Sequence, residues 1–202
     1  ILEISIVTFL LAISGAIAQF PVGKISDFYD RRKVIIASTF GAAIFALITI
    51  FVSGQMYLPD GLATSKLWFY LFFILFSFCS LPMFSLILAH TNDYITKDKF
   101  VAAGAGLQFT FGLGAMSGPF LCSIFMDLVG SNGFFVFLFF FHSLIGAFGI
   151  YRMKVRKTVE NPDSQFVAMP QTITPAGIEL NPTTEPIDCL LYTSPSPRDG
   201  TS

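Results

Sequence analysis

Five stretches of this chain are apolar for the length of a membrane crossing, and none of them contains a lysine or an arginine. They run Ile4–Gly23, Val34–Ser53, Leu67–Ala89, Val101–Met126 and Phe134–Tyr151. A hydrocarbon core about 30 Å thick takes roughly 20 helical residues to cross. In lipid every backbone N–H and C=O must be satisfied within the segment, so each stretch is expected to be a helix. The expected fold class is therefore an all-α integral membrane protein. Composition agrees: only 12% of residues are charged, 53% are apolar and Phe occurs 25 times. A soluble domain of this size carries about twice that charged fraction. Mean hydropathy is +0.69 over the whole chain, polar tail included.

The net charge of −1 hides how the charges are placed. The first connection holds Lys24, Arg31, Arg32 and Lys33, and the third holds Lys97 and Lys99. Arg152, Lys154, Arg156 and Lys157 follow the last apolar stretch. The second connection has Lys66 alone and the fourth has no basic residue. Five crossings put connections one and three and the tail on one face, which collects nearly all the positive charge. The positive-inside rule makes that face cytoplasmic. Loops 24–33 and 90–100 and the C-terminal tail are thus expected inside the cell.

Both ends of the sequence read as cut. The chain starts at Ile1 inside an apolar run, and residues 158–187 are Pro/Thr/Asn-rich, the composition of a disordered tail. Cys189–Asp199 resembles the translation of a sequencing-library adapter, which sets 188–202 apart as an artefact. That leaves Cys79 and Cys122 inside apolar stretches, expected to behave as small buried hydrophobes.

Within the helices, Gly114-xxx-Gly118 places two small residues on one face, a spacing that permits close helix approach, and Ala37-xxx-Gly41 does so more weakly. Pro82 and Pro119 each remove an intrahelical hydrogen bond and favour a bend. Mid-membrane polar groups are candidates for a transport pathway. His142 lies ten residues before Arg152, hence about 15 Å deep. It is expected to be a neutral imidazole bonded to a neighbour, with a proton relay as the alternative. Gln108 could bind a polar solute or bridge helices. His90, Asn92 and Asp93 end the third crossing, where capping is preferred to coupling. Glu3 and Asp127 belong to the outer interface. No nucleophile–base set, phosphate-cradling Gly loop or metal-ligand cluster stands out, so no cofactor, catalytic residue or nucleic acid is expected.

The first connection reads Gly23-Lys24-Ile25-Ser26-Asp27-Phe28-Tyr29-Asp30-Arg31-Arg32-Lys33. It resembles the signature between the second and third helices of each half of major facilitator superfamily (MFS) transporters: Gly, Asp four positions on, then a basic pair. Phe28 stands where a basic residue is usual and Asp30 where Gly is usual. The order of helices and connections from Ile1 to Lys157 resembles the same family. The resemblance implies five helices of a 12-helix bundle, with helices 8–12 of the C-terminal half preferred to the matching helices of the N-terminal half. It also implies a cytoplasmic gating motif at Gly23, Asp27, Arg31 and Arg32. A secondary transporter moving a small solute by alternating access is implied, in a bacterial inner (plasma) membrane. Its partners would be the lipid bilayer, a small-molecule substrate with proton coupling as one alternative, and the remaining helices of the same bundle. A receptor or assembly factor retaining the fold without transporting is the rival reading.

Overall fold

A computed structural model describes residues 2–55, 62–96 and 99–155. The expected disordered tail and adapter-like segment, with Lys97, Arg156 and Lys157, lie outside these residues. The elements are α1 (Leu2–Phe28), α2 (Arg31–Gln55), α3 (Leu62–Ser80), α4 (Met83–Asn92), α5 (Phe100–Val129), a 3-10 turn (Gly130–Asn132) and α6 (Gly133–Val155). No strand occurs among the described residues.

Four continuous apolar stretches are long enough to cross a membrane: Leu2–Phe28, Arg31–Ser53, Lys66–Asn92 and Phe100–Val155. The last has 56 residues, which as one helix would extend about 84 Å. Instead it doubles back at Gly130, whose φ of 79° lies in the region that only glycine adopts without strain. Gly133 then sits against the Phe125 carbonyl, with no room for a Cβ. Phe125 continues the contact, meeting Phe137, Phe140 and Phe141 of α6 across the hairpin.

α3 and α4 form one bent crossing. Pro82 has no N–H, so the ladder breaks there, while Leu81 N–H still donates to Ser77 O and Leu86 N–H to Pro82 O. The bend is the one the sequence points to. α1 runs on through Gly23 to Phe28, so the expected first loop shrinks to Tyr29 and Asp30.

α2 is the central element and packs mainly against α6 and α3. Ala42 and Ala46 of α2 bring its backbone close to Phe76 of α3, with Leu138 and Phe139 of α6 closing the cluster. A second cluster joins Val22, Val34 and Leu86 from α1, α2 and α4. α1 and α3 are held by a reciprocal pair of hydrogen bonds: Ser14 Oγ donates to Ile74 O at 2.9 Å and Ser77 Oγ to Leu11 O at 2.8 Å. Other hydroxyls turn back onto their own helix, as Thr39 does to Ile35 O and Thr49 to Phe45 O. Both arrangements satisfy a polar group without water.

The ends of the helices sort onto two faces. Arg31 reaches Asp93, and Arg32, His90 and Arg152 line one cavity, so the C-termini of α1, α4 and α6 meet the N-terminus of α2. At the opposite ends Lys66 pairs with Glu3 at 3.7 Å, and Ser53 Oγ bonds Asn132 Oδ1 at 2.8 Å. The ends thus alternate between the two faces from one helix to the next.

Candidate functional site

The basic face is organised by a short break between two helices. Asp30 occupies the position before α2 and caps it: its Oδ1 accepts from the Arg32 backbone N–H at 3.0 Å. The same carboxylate takes a forked pair of bonds from the Arg32 guanidinium, Nε to Oδ1 at 3.2 Å and Nη2 to Oδ2 at 3.0 Å. Burial by itself would raise the Asp30 pKa. The hydrogen bonds from Arg32 and the positive charges of Arg32 and Lys33 outweigh it and hold the carboxyl below its usual range.

Arg31, the first residue of α2, points the other way and is 4% exposed. Its Nη1 donates to Asp93 Oδ1 at 2.9 Å and to the Ala89 carbonyl at 3.1 Å, and its Nη2 to Asp27 Oδ1 at 3.2 Å. One guanidinium therefore ties together the end of α1, the start of α2 and the end of α4. The planar fork suits this, because several donors on fixed vectors meet acceptors from three directions. The Asp93 side chain is 6% exposed, whereas Asp27 keeps 34% of its side chain open. Gly23 lies buried one turn before Asp27, and its carbonyl accepts from Ser26 Oγ at 2.7 Å.

The structure thus brings Asp27, Arg31 and Asp93 together and sets Arg32 with Asp30 beside them. Asp93, expected as a loop cap, stands at the C-cap of α4 and is also an ion-pair partner of Arg31. Asp30, marked by the sequence only as standing where Gly is usual, carried a local signal that went unread, since an Asp just before a helical run is a cap residue. The Arg31–Asp93 pair joins residues 62 positions apart and has no local signal.

The remaining candidates lie apart from this cluster. His90 stacks edge-on with Tyr94 and, with Arg32 and Arg152, lines a cavity of about 240 Å³ on the basic face. His142 Nδ1 faces the Leu138 carbonyl at 2.8 Å, which needs a proton on Nδ1. Nε2 is then placed to accept from Ser80 Oγ at 3.0 Å, so a neutral imidazole satisfies both contacts. Gln108 Oε1 is buried and accepts no hydrogen bond among the described residues. A Cβ added at Gly114 or Gly118 would meet nothing within 4 Å, so the Gly114–Pro119 face of α5 is unpacked among the described residues. The close approaches are elsewhere. Gly146 and Gly149 of α6 sit against Phe40 and Ile36 of α2, and Gly15 of α1 sits against Leu81. Among the described residues no group of three or more His, Cys, Asp or Glu could hold a metal ion.

Comparison with known proteins places the chain in a family. A protein of Yersinia enterocolitica named "Uncharacterized MFS-type transporter YE1530" is 25% identical over 160 residues, which cover 79% of this chain and 37% of that protein. "Uncharacterized MFS-type transporter" proteins of Yersinia pestis and Yersinia pseudotuberculosis are 22% identical over 160 residues, with the same coverage of 79% and 37%. The chain therefore spans little more than a third of the length of these relatives. No solved structure matches. The family profile described as "Major Facilitator Superfamily" matches residues 1–185, and with its apolar helices the chain is a membrane protein belonging to that superfamily.

Proposed function

We propose that the protein carrying this chain is a secondary transporter that moves a small solute by alternating access. The observation that carries the reading is the Arg31 cluster, a charged junction of three helix ends in a chain of this superfamily. Asp93 and the Ala89 carbonyl fix Arg31, and Arg31 in turn fixes Asp27. A third of the Asp27 side chain stays open, and in this reading it is what meets the other half of the bundle. A carboxylate held this way can accept from the N-terminus of a helix in that half, where the dipole favours negative charge. The contact closes the basic face while the opposite face is open, and rocking of the halves breaks it. The basic face is cytoplasmic, in a bacterial inner membrane, and these helices are 8–12 of the bundle.

The test compares cells producing the full-length protein with cells lacking it. Uptake and efflux are followed across a panel of sugars, amino acids, organic acids and organic cations. At least one solute is expected to move faster in the producing cells. Asp27→Asn is expected to cut that rate severalfold at an equal amount of protein in the membrane. An unchanged rate in the variant removes the gating role of Asp27. No difference for any solute favours the non-transporting rival.

A further inference from the structure

α2 leaves an apolar groove on each side of its first turns, and one lysine lines both. Between α2 and α6 a groove of about 450 Å³ is walled by Ile36, Ala37, Ile150 and Met153 and carries Lys33 and Lys154. Between α1 and α2 a groove of about 350 Å³ is walled by Val22, Ile25, Val34 and Ala37 and carries Lys33 again. Ala37 is shared as well, so one short side chain forms part of the wall of both grooves. Among the described residues no carboxylate lines either groove. Asp30, whose charge Lys33 feels, is already engaged by the forked pair from Arg32. On the same face Arg32 and Arg152 line the neighbouring cavity, so each of α2 and α6 contributes an arginine and a lysine to one boundary.

We infer that these grooves hold a two-chain anionic phospholipid, with its phosphodiester between Lys33 and Lys154 and one acyl chain on each side of α2. The chemistry is amphiphilic in the required sense. A lysine stem lies along apolar surface while its ammonium stays at the polar boundary, and that ammonium offers three donors to phosphate oxygens. A soluble anion would use the two charges and leave the apolar walls uncovered. A zwitterionic lipid would cover the walls and leave the charges uncompensated. An anionic lipid does both. The attraction of a basic residue at a membrane surface for anionic lipid corresponds to about a fivefold preference per lysine, so roughly 25-fold for the two.

The full-length protein is purified in a non-ionic detergent and titrated with dioleoyl phosphatidylglycerol or dioleoyl phosphatidylcholine, with adducts counted by native mass spectrometry. Phosphatidylglycerol is expected to bind more tightly by about that factor. Lys33→Gln/Lys154→Gln, two exposed positions whose exchange leaves the packing intact, is expected to bring the two lipids level. Ala37→Trp, which fills the shared wall, is expected to weaken both. Glycerol 1-phosphate, the headgroup without chains, is expected not to compete. Equal binding of the two lipids in the unaltered protein overturns the inference, as does a preference that survives the double substitution. Competition by glycerol 1-phosphate at concentrations equal to the lipid would make this a soluble-anion site and overturn it too. So would the absence of any adduct, the result expected if another helix of the same protein fills the grooves.

Discussion

Arg31 is a charged side chain at 4% exposure, which is costly unless each of its partners stays in place. Two carboxylates and a backbone carbonyl supply them, from α1 and α4. Next to it Asp30 does a different job with the same chemistry, capping α2 and gripping Arg32. Because folding lowers the Asp30 pKa, folding favours its charged form. Its contribution is therefore complete above the ordinary value of 3.8 and is lost as the pH falls through the lower folded value. Asp30→Ala is expected to cost about 1 kcal/mol near neutral pH, the usual worth of a cap. The thermal midpoints of the original protein and the variant, taken in one detergent at about pH 7, 5 and 3, should differ equally at the first two. The gap should narrow at the third, and a gap that stayed constant would mean the charge of Asp30 plays no part. The two aspartates show what can be read from a chain. Asp30 announces itself, since a capping residue and its helix are neighbours in sequence. Asp93 does not, because its partner comes from a different helix and only the packing of α4 against α2 brings them together.

At the scale of helices, apolar length and the breakers set the outline. The runs without Lys or Arg became α1, α2, the bent α3–α4 pair, α5 and α6, with Pro82 and Gly130 at the interruptions. Which glycines face a neighbour was not legible, because a small residue makes close approach possible without saying where it happens. The Gly114-xxx-Gly118 spacing meets no described helix, while Gly146 and Gly149, three residues apart, are where α6 closes on α2. A Cβ at Gly146 would lie 2.9 Å from Phe40 Cε2, and one at Gly149 would lie 2.8 Å from Ile36 Cγ1. Gly146→Val adds two further carbons at this contact and is expected to destabilise by about 1–3 kcal/mol, as overpacking does. The comparison is Gly114→Ala. Among the described residues that methyl enters open space, so the loss seen at Gly146 should have no counterpart there. Thermal unfolding of both variants in the full-length protein reads the difference. Equal losses would show that a helix from outside residues 2–155 is packed on the α5 seam, which is the role the spacing implies. Ser14 and Ser77 carry the same lesson from polar groups. Nothing local marks them as a pair, yet each finds the other helix's carbonyl.

The whole chain behaves as a sorting of charge by face. α1, α4 and α6 end, and α2 begins, on the face that holds Lys33, Arg31, Arg32, Arg152 and Lys154. The opposite face has Glu3, Lys66 and the Ser53–Asn132 bond. The proposed orientation rests on this asymmetry, because basic residues next to a span tend to be retained on the cytoplasmic side during insertion. Single cysteines report it directly. With Cys79, Cys122 and every other cysteine of the protein, Cys189 included, changed to Ser, Tyr94→Cys and Lys66→Cys each place one thiol near an opposite boundary. A membrane-impermeant maleimide added to intact cells is expected to label Lys66→Cys and spare Tyr94→Cys. In everted vesicles the pattern should reverse. The gating proposal depends on this result in a definite way. If Tyr94→Cys is labelled from outside, the Arg31 cluster closes the external face instead, and Asp27→Asn would have to act on the outward-closed state. Labelling of both positions from one side would break the alternation itself. That outcome would contradict the ion pairs as well as the charge count: Asp93, bonded to Arg31, and Lys66, bonded to Glu3, lie at opposite ends of the α3–α4 crossing.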